Sequence, residues 1–136
     1  RATAEDLKNI RACYEQIAHF QILGDDDQAA IADAKFHLAI AEASHNLVLI
    51  QMMRGLFDLL QYNVVLGRRK VYTEAHRFDQ LHDQHFQVMD AIERQDPEAA
   101  RSAVCGHIEF VVQQVRMIDE EDARRQRASR LNRIAP

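Results

Sequence analysis

The chain has 136 residues, the length of one domain with a single core of ordinary size. Four Gly, two Pro and no Trp, beside abundant Ala, Leu, Ile, Val, Glu, Gln and Arg, is the composition of a helical protein rather than a sandwich or barrel. A net charge of −4 gives no general attraction to nucleic acid or to an anionic membrane, so any DNA contact must come from a local patch or from another domain.

Five helices and no strand are expected. In the first, Thr3 followed by Asp6 forms an N-terminal cap, and Leu7, Ile10, Tyr14, Ile17 and Gln21 mark one face until Gly24 stops it. The acidic turn Asp25-Asp26-Asp27 caps a second helix through Ile31, Phe36 and Ile40 to about His45, where Asn46 can end it. From Leu47 the segment LVLIQMMRGLFDLLQYNVVLG is apolar almost all round, the mark of a helix buried between others, and it is expected to be the central one. Gly67-Arg68-Arg69-Lys70 breaks it, and an irregular or mobile loop is expected over Val71 to Arg77. The fourth helix is expected over Phe78 to Gln95, and the fifth opens at Asp96-Pro97, a cap followed by proline at the first helical position, and runs to about Asp119. The remainder turns from acidic to basic and reads as a frayed helix or arm. The expected organisation is therefore a helical unit over 1–118 and a charged C-terminal helix or tail over 119–136.

The chemistry lies where polar residues interrupt apolar faces. In the fourth helix Phe78, Leu81, His85, Val88 and Ile92 advance by three and four residues, so His85 sits within the core-facing stripe. The fifth helix repeats the pattern with Ala100, Val104, His107, Val111, Gln114 and Ile118, and His107 also points inward. In the second, Asp33 and His37 are one turn apart, a rotation of about 40° and a rise of about 6 Å, so both can reach one point. Taken singly these residues have ordinary readings: a core histidine is usually hydrogen-bonded packing, and an Asp–His pair at i, i+4 is usually a solvated ion pair. Taken together, two buried imidazoles and a carboxylate are costly unless they share a partner, and a metal ion satisfies all of them. The expected fold is an all-α, antiparallel helical bundle around a central metal site made by Asp33, His37, His85 and His107. His19, His45, His76 and His82 are left out of it.

The run DAKFHLAIAEASHN from Asp33, with QHFQVMDAIERQDPEAAR and GHIEFV further on, resembles the C-terminal ligand-binding (FCD) domain of FadR-type regulators in the GntR family. The resemblance covers most of the chain. In metal-binding members it implies an Asp and a His four apart plus two later histidines, which Asp33, His37, His85 and His107 match one by one. VLIQMMRGLFDLLQ and DEEDARRQRASR further resemble regulators of lactate and glycolate utilisation. Family members also carry an N-terminal winged-helix domain and further sensing-domain helices, neither of which lies in this chain. The resemblance thus implies a homodimer that reads DNA only through that other domain, with part of the effector pocket outside this sequence.

Three neutral imidazoles and a carboxylate leave a divalent ion with net positive charge and open positions, which suits a small carboxylate effector such as a chelating 2-hydroxy acid. Zn is the default metal, with Ni, Mn and Fe as alternatives. Ser44, Asn46 and Arg54 are candidate effector contacts. Ser44 and Asn46 have helix termination as an equal reading, and Asp58, four residues on, can serve as the partner of Arg54. A metalloenzyme is the rival of another class, but no HExxH motif, activated nucleophile or glycine-rich phosphate loop is present, and no catalysis is expected. A metal-free helical interaction module is the third reading. Cys13 and Cys105 have no ligand-like spacing and read as reduced packing residues. With no signal peptide, a start at Arg1, and an apolar stretch broken by Gln51, Arg54 and Asp58, the chain is expected to be part of a cytoplasmic, non-membrane protein.

Overall fold

The computed structural model describes residues 2–59, 61–62 and 75–134, with side chains described at 2–59, 61–62 and 80–130. Among these the chain is all helical: α1 (Ala4–Ile22), α2 (Asp26–Glu42), α3 (Leu47–Gly55), α4 (Ala75–Glu93) and α5 (Pro97–Ile134). The loop expected over Val71 to Arg77 lies largely outside the described residues, apart from the first turn of α4.

The caps explain where the helices begin. Thr3 and Asp6 form a reciprocal capping box on α1, in which Thr3 Oγ1 accepts from the Asp6 amide at 3.2 Å and the Asp6 carboxylate accepts from the Thr3 amide at 2.6 Å. The α1–α2 turn is closed by Gly24 at φ +71°, a left-handed conformation that costs glycine nothing. Asp25 then caps α2 by accepting from the Gln28 amide at 3.0 Å. Asp96 does the same for α5, accepting from the Ala99 amide at 3.0 Å, with Pro97 at the first helical position where its missing N–H is harmless. The charged segment from residue 119 continues α5 as far as Ile134.

Asp6 also ties the start of α1 to the α2–α3 corner, because His45 Nε2 lies 2.7 Å from its Oδ2. Hydrogen bonds from the Thr3 side chain and backbone, followed by the contact with His45, hold the Asp6 carboxyl at about 2, below its ordinary 3.8. A depressed folded-state value stabilises the fold above pH 3.8 and the contribution is lost as pH falls toward 2. Melting curves between pH 5 and pH 2 are expected to show a steeper acid loss for the wild type than for Asp6→Asn; parallel curves would count against the linkage. Thr3→Ala is expected to cost about 1 kcal/mol at neutral pH.

The core is built around α2. Ala29, Ala30, Ala32, Asp33, Ala34, Phe36, Ala39 and Ala41 of this helix are all buried, so it is enclosed nearly all round. Its small residues let α1 approach closely, and Ile10 and Ile17 of α1 join Phe36, Ala32 and Ala39 with Val88 and Met89 of α4 in one cluster. An exposed ion pair from Arg11 to Glu93, 2.9 Å at Nε, crosses from α1 to α4 but sits too far into solvent to contribute much.

Three expectations are corrected here. The central helix is α2, whereas α3 has no buried residue: Leu47 is 74% exposed, Val48 70% and Met52 59%. The expected single helix over 47–67 also stops early, at Gly55, with further helical residues at 57–59 and 61–62 beyond a turn at Leu56. An apolar circumference says that a helix needs covering, but not that the described residues supply the cover. Nor does Asn46 end α2. That helix ends at Glu42 with Ala43 as its C-cap, and Asn46 instead caps α3, accepting from the amides of Val48 and Leu49 at 3.1 and 3.2 Å.

Candidate metal centre

Three helices bring Asp33, His37, His85 and His107 to one place. Asp33 and His37 come from successive turns of α2, His85 from the core-facing stripe of α4 and His107 from that of α5. Asp33 Oδ1 lies 3.1 Å from His37 Nε2 and 3.3 Å from His85 Nε2, so two imidazoles meet the same carboxylate oxygen. The His85 and His107 rings are 4.6 Å apart between centroids, and His37 stacks on His107 at 5.3 Å with 23° between the planes. One nitrogen from each of the three histidines falls within 4.8 Å of the others.

Burial makes this arrangement demanding. His85 is fully buried, and Asp33 and His107 are 5% and 6% exposed. Neither ring nitrogen of His85 has a hydrogen-bond partner among the described residues, although its Nε2 faces Asp33. An imidazole buried with unsatisfied nitrogens costs free energy unless something else engages it. His37 is the most open of the four, with its side chain 26% exposed, and would form the solvent-facing side of the site. Phe36 forms the apolar wall, its ring edge-on to His85 at 5.3 Å and to His37 at 5.6 Å. Converging imidazoles, a carboxylate and a dry aromatic wall suit a borderline divalent cation such as Zn²⁺.

The FCD domain family matches residues 1–110. The chain belongs to this family. It is also 45% identical, over 131 residues, to a protein of Escherichia coli strain K12 named for regulation of the L-lactate dehydrogenase operon; the match covers 96% of this chain and 49% of that protein. The Glc operon transcriptional activator of the same strain is 28% identical over 126 residues, covering 88% of this chain and 48% of the relative. The Uxu operon transcriptional regulator is 28% identical over 120 residues, 85% of this chain and 45% of the relative. The FCD chain thus spans about half the length of the curated relatives it matches, and those relatives are transcription regulators. It is the effector-binding type of domain found in GntR-family regulators.

The three candidate effector contacts of this FCD domain lie at the α2–α3 corner, and each has a local partner. Ser44 Oγ donates to the Ala41 carbonyl at 2.6 Å, Asn46 caps α3, and Arg54 pairs with Glu42 at 2.7 Å rather than with Asp58. Gln84 was not singled out in the sequence, and His82 was set aside there; both have partners on other helices. Gln84 Oε1 lies 3.1 Å from His107 Nδ1, and His82 Nε2 lies 2.8 Å from the Tyr14 hydroxyl with the two rings stacked. Periodicity had no means of finding either, since each pairs residues of different helices. Burial pushes the Tyr14 hydroxyl up from its ordinary value, with the charge of Asp83 adding to the effect. No helix of the described residues is long and apolar enough to cross a membrane.

Proposed function

We propose that this FCD domain is a metal-dependent sensor of a small carboxylate, and that Asp33, His37, His85 and His107 hold the metal. The observation that carries the reading is the fully buried, hydrogen-bond-deficient imidazole of His85 facing Asp33 Oδ1 within a cluster of three histidines. Zn²⁺ fits this donor set, with Ni²⁺, Mn²⁺ and Fe²⁺ as alternatives. A divalent ion held by three neutral imidazoles and one carboxylate would supply net positive charge and a position for an anionic ligand. His37, on the open side, marks where that ligand would enter.

A 2-hydroxy acid offers a carboxylate and a hydroxyl to one ion. L-lactate is the first candidate, because the relative at 45% identity is named for an L-lactate dehydrogenase operon, and glycolate is the next. Ser44, Asn46 and Arg54 are secondary effector contacts in this reading, reached only if the α2–α3 corner rearranges. Since the site draws on α2, α4 and α5, a ligand bound there would favour one packing of these helices over another. In the whole protein that shift would alter how two winged-helix domains, outside this chain, meet DNA. The working form is a cytoplasmic homodimer; the exposed Leu47, Val48 and Met52 of α3 support an interface between copies. Residues 1–118 act as the sensing unit and 119–136 as a charged extension. The domain itself catalyses nothing.

The test is thermal melting of metal-stripped protein, then with Zn²⁺ or Ni²⁺, then with lactate, glycolate, citrate and acetate added to the loaded form. Stabilisation by metal, followed by further stabilisation from a hydroxy acid that disappears without metal, is the expected result. Indifference to metal would remove the site, while a response to metal alone would reduce it to a structural clamp.

A further inference from the structure

We propose that Gln84 is a positioning residue that fixes the tautomer of His107, so that His107 presents Nε2 to a metal. The inference rests on the metal reading above. His107 is only 6% exposed, and its Nδ1 lies 3.1 Å from Gln84 Oε1. An amide oxygen can only accept, so a hydrogen bond at this distance requires the proton on Nδ1. A neutral imidazole carries one such proton, and its other nitrogen keeps the lone pair that a metal needs. Gln84 therefore decides which ring nitrogen is left to donate to a metal.

The sequence position gives the contact a second consequence. Gln84 directly precedes His85 on α4, while His107 belongs to α5. One turn of α4 thus supplies a member of the cluster and the hydrogen bond that orients another member from the neighbouring helix. The packing of α4 on α5 and the geometry of the cluster are coupled through this bond. Partners of this kind raise ligand basicity and hold ring orientation, and their loss typically weakens metal affinity about ten- to a hundredfold.

The full chain is tested by Zn²⁺ competition against a chromogenic chelator, in the wild type, Gln84→Met and Gln84→Glu. Methionine keeps the length but removes the acceptor, so affinity is expected to fall about ten- to a hundredfold. Glutamate keeps an acceptor and is expected to retain at least wild-type affinity. If Gln84→Met binds Zn²⁺ as tightly as the wild type, or if both variants weaken alike, Gln84 does not act through its acceptor and the proposal fails while the metal site stands. A wild type that binds no Zn²⁺ removes the site and this role together. Long-range proton–nitrogen correlation on metal-free wild type reads the tautomer without any variant: protonated Nδ1 at His107 is expected, and protonated Nε2 overturns the assignment.

Discussion

Replacing His85 with alanine is expected to abolish metal-dependent stabilisation while changing the metal-free protein far less. A site filled at about a thousand times its dissociation constant stabilises the folded state by about 4 kcal/mol. For a domain of this size that is a rise in melting temperature on the order of 10 °C. His85 is the member of the cluster with the most to lose, because it is fully buried and its nitrogens have no hydrogen-bond partner among the described residues. In the metal-free variant two effects oppose each other: the cavity left by the imidazole destabilises, and removal of an unsatisfied buried group stabilises. A net cost of about 1 kcal/mol is the reasonable expectation. Calorimetry of wild type and His85→Ala, each with and without Zn²⁺, separates the two. An equal metal response in both proteins would exclude His85 as a ligand.

Phe36→Ala is expected to produce the largest loss of intrinsic stability, about 3 to 5 kcal/mol. Phe36 is fully buried and stands at the centre of the cluster formed by α1, α2 and α4. Its ring also contacts Tyr14 at 6.4 Å, so truncation opens a cavity bordered by three helices rather than a dent at one surface. Because Phe36 is edge-on to both His37 and His85, the same cavity frees two of the imidazoles. Metal affinity should therefore fall although no ligand has been removed. Denaturant unfolding of the metal-free protein gives the stability change, and Zn²⁺ competition gives the second effect. A Phe36→Ala protein with wild-type metal affinity would mean that the histidines are held by their own helices and not by this wall. Phe36→Leu should recover most of the stability, since it keeps much of the apolar volume.

Much of the architecture was legible along the chain because its signals are local. The cap at Thr3 and Asp6, the glycine stop at position 24 and the Asp96-Pro97 start depend on backbone groups within a few residues, and each appears where the sequence puts it. The inward aspect of His85 and His107 was legible for a related reason. A helix has one period, so a residue within an apolar stripe shares the burial of that stripe. The convergence of Asp33 and His37 with them could be anticipated by asking what would satisfy so many buried polar groups, and the family resemblance implied the same four residues.

Where local signals misled, the deciding contact was non-local. The α3 segment and the alanine-rich α2 exchange the roles expected of them, because small residues permit close packing from several sides and large apolar residues do not by themselves create neighbours. Arg54 finds Glu42 across the α2–α3 corner, although Asp58 is nearer in sequence along the expected helix. Asn46 offers a side-chain acceptor that suits the end of one helix or the start of the next, and the turn geometry at Ala43 to His45 selects the second.

The sequence by itself determined that the chain is helical, where most of its helices begin, and which histidines leave solvent. Those properties follow from hydrogen bonds and periodicity within single segments. Only the tertiary structure decided that α2 is the enclosed helix, that three histidines and Asp33 meet, and that Gln84 bonds His107. Helix packing brings together side chains that no spacing along the chain relates.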